Sequence, residues 1–95
     1  MVVGICRISL LIHDNDSLKG KRQVLKSIIE KVRNRFNVSI AEVGDNDLWQ
    51  RATVGVCAIG SDRAHVNSVI DKVLDFIVGL HRAEVLDHGI ELINL

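Results

Sequence analysis

The residues Val2-Val3-Gly4-Ile5-Cys6-Arg7-Ile8-Ser9-Leu10-Leu11-Ile12 carry the two-residue period of an extended chain. Successive side chains of a strand point to opposite sides. Val2, Gly4, Cys6, Ile8, Leu10 and Ile12 therefore make one face compatible with full burial. The other face, Val3, Ile5, Arg7, Ser9 and Leu11, is mixed. A strand of this kind belongs in a sheet covered on one side.

Working outward, His13-Asp14-Asn15-Asp16 is turn chemistry, and Ser17 or Asp16 can cap the helix that follows. That helix runs to about Arg35, with Leu18, Leu25, Ile28, Ile29, Val32 and Phe36 as its buried stripe. A second strand spans Val38 to Val43, and Gly44-Asp45-Asn46-Asp47 is a polar connection. The third strand, Arg51 to Ile59, puts Ala52, Val54, Val56 and Ala58 on one face and Thr53, Gly55 and Cys57 on the other. Gly60-Ser61-Asp62 supplies a turn and a cap for a second helix. Its inner face is Val66, Val69, Ile70, Val73, Ile77 and Leu80, and Gly79 and His81 suit its end. The last strand falls within Val85 to Leu95. The order predicts an α+β fold, a ferredoxin-like βαββαβ sandwich whose four-stranded antiparallel sheet carries two helices on one face. We expect residues 1–95 to form a single domain, with the first and third strands at its centre.

The composition excludes several classes. A chain of 95 residues with 47% apolar residues and a formal net charge of zero is neither disordered nor a charged tail. No apolar run approaches the ~20 residues of a membrane span, and the first residues lack the basic leader of an export signal. Cys6 and Cys57 show no spacing typical of zinc, so we expect a cytoplasmic protein with reduced thiols. Proline and tyrosine are absent and only Phe36, Trp49 and Phe76 are aromatic, so the core must be built from Val, Ile and Leu.

The charge is unevenly placed. Between Ser17 and Phe36 the cations Lys19, Lys21, Arg22, Lys26, Lys31, Arg33 and Arg35 face the single acid Glu30. At about 100° per residue, Lys19, Arg22, Lys26 and Arg33 share one shoulder of the helix, while Lys21, Lys31 and Arg35 lie off it. Such a row can follow phosphates. The plainer alternative is a solvated face whose stems cover the core edge, with Glu30 paired to Lys26 or Arg33.

Other constellations are thinner. Many RNA-binding sheets stack bases on aromatic residues of the central strands, but the open face here has none. Val3, Ile5, Leu11, Cys57 and Ile59 would instead leave an apolar patch there, the kind of surface that marks an interface such as a homodimer contact. A lone Trp entering a strand, as Trp49 does, more often closes the edge of the core than binds a ligand. The alternative makes Trp49 and Arg51 an exposed stacking and phosphate pair. The acids and His13 of the turns are expected to serve the turns, without metal or catalysis. His65, His81 and His88 have no ligand spacing, no glycine-rich phosphate loop is present, and neither cysteine has a base nearby in sequence. No cofactor is expected.

The segments Ser17-Leu18-Lys19-Gly20-Lys21-Arg22, Arg33-Asn34-Arg35-Phe36-Asn37-Val38-Ser39 and Leu48-Trp49-Gln50-Arg51-Ala52 resemble the YlxP-like family of small bacterial proteins. The resemblance covers essentially the whole chain. It implies the ferredoxin-like fold and a cytosolic setting. It also implies a gene beside those of transcription and translation factors, among them a ribosome-binding factor, and it implies no established activity. The family commonly has a glutamate where this chain has Gly20; with Ser17 that glutamate would complete a capping box. Taken together, the expectation is a non-catalytic accessory protein that binds RNA or a ribosome-assembly intermediate through Lys19, Arg22, Lys26 and Arg33, with Arg7 and Arg51 as weaker contributors. The alternative is a homo-oligomeric interaction module using the open sheet face, with no nucleic-acid role.

Overall fold

The computed structural model describes residues 1–95 and has the expected element order. The elements are β1 (Val2–Leu11), α1 (Leu18–Arg35), β2 (Ser39–Gly44), β3 (Arg51–Gly60), α2 (Arg63–Gly79) and β4 (Glu84–Asn94). They form one antiparallel sheet in the order β2-β3-β1-β4, with β1 and β3 central.

The alternation read from β1 sets the two faces. Val2, Cys6, Ile8, Leu10 and Ile12 are buried, and their β3 counterparts Ala52, Val54, Val56 and Ala58 join them. α1 adds Leu25, Ile28 and Val32, and α2 adds Val66, Ile70, Val73, Leu74 and Ile77. Gly4 lies on the same face by alternation, and glycine suits the position because α2 crosses it closely. A β-carbon there would come within 2.6 Å of the Ile70 and Val66 side chains. Phe36 and Phe76 meet edge to face at 5.6 Å and join the two helices. Arg35 lies over the Phe76 ring, so this off-stripe cation serves packing.

Both helices start on the expected caps. The Ser17 hydroxyl accepts from the Gly20 amide at 3.0 Å, and the Asp62 carboxylate accepts from the His65 amide at 3.0 Å. Asn15 adds a bond to the Ser17 carbonyl at 2.8 Å. The space that a capping-box glutamate would enter is therefore occupied: a β-carbon on Gly20 would meet the Asn15 side-chain oxygen at 2.2 Å. His81, just past α2, adopts a left-handed φ of 54°, as a helix end requires.

No helix is long and apolar enough to cross a membrane. Both cysteines are free; Cys6 is buried and Cys57 lies on the opposite face. Burial pushes the Cys6 thiol above its ordinary range, and the Asp71 carboxylate adds to the shift.

Candidate nucleic-acid interface

Helix α1 divides its cations between interior and solvent. Lys21 is fully buried. Its ammonium donates to the carbonyls of Asp45 at 2.6 Å, Asn46 at 3.2 Å and Arg51 at 3.1 Å, which uses all three of its donors. The Glu42 carboxylate lies 3.2 Å away and supplies the opposite charge. That oxygen, Oε2, makes no hydrogen bond. The carbonyls thus provide the directed bonds and Glu42 the Coulombic balance. The effect is to clamp the β2–β3 turn onto the start of α1. Asn15 donates to the Trp49 carbonyl, Gln50 donates to the Asn15 carbonyl at 3.1 Å, and the Ile12 amide bonds the Gln50 carbonyl at 2.7 Å.

The outer shoulder is built differently. Lys19, Arg22, Lys26 and Arg33 are all exposed, as their helical spacing implies. Arg22, Lys26 and Arg33 line one groove of about 400 Å³ between α1 and edge strand β2. Lys19, nearer the helix start, lies outside that lining. Arg33 also donates to the Ile40 carbonyl at 2.9 Å, which fixes the helix end to β2. Glu30 and Glu42 share the groove, but Glu42 faces Lys21. No carboxylate lies within 4 Å of Lys19, Arg22, Lys26 or Arg33; the ion pairs of the chain are His13–Glu84 and Lys21–Glu42. The pairing of Glu30 to Lys26 or Arg33, the plainer alternative for this face, is thus not formed.

Arg7 and Arg51 do not join this groove. Arg7 pairs in register with Gly55, and Arg51 with Leu11, both on the sheet face away from the helices. Trp49 corrects an expectation. Its side chain does not close the core edge; the residue is 54% exposed and lines a hollow with Leu11, Leu48 and Arg51. Its backbone is spent in the turn network with Asn15, and the chain enters β3 only at Arg51, so the indole has no core position to occupy.

On the open face Val3, Leu11 and Cys57 are half-buried, and Ile5 and Ile59 are exposed. Val43 at 61% exposed joins them, lying over Gly55 at a bulge in β2. No three His, Cys, Asp or Glu side chains converge on a point.

Lys21 is the residue that sequence reasoning missed, although a signal was present. It stands four, seven and eleven positions before the buried Leu25, Ile28 and Val32, on their stripe. Glu42, two residues after buried Ile40, faces the same interior.

Comparison with known proteins gives concordant results. The family model described as "Protein of unknown function (DUF503)" matches residues 3–90. The chain is similar to "Uncharacterized protein YlxP" of Bacillus subtilis (strain 168), at 43% identity over 76 residues, covering 80% of this chain and 83% of that one. Two solved structures share the fold alone. One is the structural-genomics protein YJCS, with a TM-score of 0.55 at 10% identity, covering 97% of this chain and 99% of that one. The other is the designed protein Foldit4, with a TM-score of 0.52 at 18% identity, covering 99% and 97%.

Proposed function

For a chain that belongs to the DUF503 family, whose function is unknown, we propose a non-catalytic accessory role in the bacterial cytoplasm: binding RNA or a ribosome-assembly intermediate along the α1 groove. The observation that carries this reading is the groove itself, where Arg22, Lys26 and Arg33 stand in solvent without a carboxylate partner. Unpaired cations spaced along one ridge suit a phosphate backbone, and each contact releases counterions from it. Lys19 extends the ridge toward the helix start.

Trp49 and Arg51 add a second element. An exposed indole beside a guanidinium can stack on an unpaired base and meet its phosphate. The sheet face carries no aromatic platform, so backbone and shape dominate over base readout. The genomic company implied by the family resemblance points the same way.

The test is binding to ribosomal RNA and to small-subunit particles at two salt concentrations, for the wild type and for Arg22→Glu/Lys26→Glu. The expected result is affinity that falls with salt and drops at least ~10-fold in the double variant, with a shallower salt slope. Trp49 is the only tryptophan and tyrosine is absent, so indole fluorescence reports on the turn directly. Affinity indifferent to both salt and charge reversal sinks the reading.

A further inference from the structure

The open sheet face is partitioned by charge. Its cations, Arg7 and Arg51, lie on β1 and β3, while β4 presents Glu84, Asp87 and Glu91 opposite Leu11, Ser9 and Ile5 of β1. Arg7 has an unusual setting. Its partner in β3 is Gly55 and its partner in β4 is Gly89, so no side chain stands beside it in its own row. It is exposed, and it has no carboxylate within 4 Å. Above Gly89 there is open space, since a β-carbon built there would touch nothing within 4 Å.

We infer that this face is covered by a second copy of the chain, with Arg7 of each protomer seated over the partner's Gly89, between the partner's Asp87 and the partner's Glu91. Laying β1 of one copy over β4 of the other brings these groups together twice, the self-complementarity that an isologous contact needs. The open space at Gly89 makes room for the guanidinium, and the flanking carboxylates neutralise it. In the same arrangement Val3 of each copy meets the partner's Ile93, and the pairing removes apolar surface there from water. Ile5, beside them on β1, is otherwise left 42% exposed. The two-fold axis that this pairing requires runs along the strands between β1 and β4, so β1 and β4 of each copy form the contact.

This contact is independent of the α1 groove, which lies on the helical side of the sheet. The test is light scattering and sedimentation of the full chain at micromolar concentration. The expected result is twice the chain mass for the wild type and for Arg22→Glu/Lys26→Glu, and a single chain mass for Arg7→Glu and for Glu91→Arg. The combined Arg7→Glu/Glu91→Arg chain, with the pair reversed, should recover the dimer. Far-UV circular dichroism and the urea midpoint check that each variant is folded. A monomeric wild type, a dimer untouched by Arg7→Glu, or a folded charge-swapped chain that stays monomeric would each overturn the inference.

Discussion

Lys21 and Arg22 are adjacent in the chain, yet the first is fully buried and the second stands in solvent on the outer shoulder of α1. The contrast extends to whole regions. Around Lys21 the start of α1, the 13–17 loop and the β2–β3 turn are bound together by side chains reaching backbone carbonyls. Along Arg22 and Lys26 the cations reach no acid. The same residue types are structural on one side of the helix and available on the other. Total charge therefore says little about a binding surface until the buried cations are subtracted.

Three sets of substitutions sharpen the contrast. Lys21→Met has the largest expected effect. It preserves volume but orphans three carbonyls and leaves Glu42 without its counter-charge, a loss of about 3–5 kcal/mol by urea denaturation. RNA affinity at a temperature where the variant stays folded should be unchanged. A fall in affinity as large as that of Arg22→Glu/Lys26→Glu would erase the distinction between the two regions.

Next is Gly20→Ala, which gains about 1 kcal/mol of helix propensity but must displace the Asn15 side chain. We expect almost no net change in the wild-type chain. In an Asn15→Gly background the same change should stabilise by about 1 kcal/mol, a non-additivity of the size contacting residues show. Additive effects would mean that Asn15 does not occupy the capping-box space. The smallest effect belongs to Arg22→Gln and Lys26→Gln, which should leave the urea midpoint unmoved while weakening RNA binding. A shifted midpoint would show that the outer shoulder also holds the fold together.

Much of this was legible beforehand because the patterns were local. The six elements, both caps and the faces of β1 and β3 follow from periodicity and turn residues, and the structure agrees within a residue or two at most ends. The helical spacing of Arg22, Lys26 and Arg33 likewise placed them on one ridge. The position of Trp49 was not legible, because its exposure depends on what the turn's backbone binds. Those partners, Asn15 and Lys21, are 34 and 24–30 positions away from the groups they hold. Alternation already sets Arg7 and Arg51 on the outward face of the sheet, and the register of β1 with β3 keeps them there, away from the helix cations.

The amino-acid sequence by itself determined the order of elements and the inward faces, because alternation and helical period are properties of short stretches of chain. It also placed one excess of positive charge on one helix. Only the tertiary structure decided which of those charges face water. A lysine can be buried only where distant carbonyls and a carboxylate replace its hydration, and those groups come together when β2, β3 and α1 close around it.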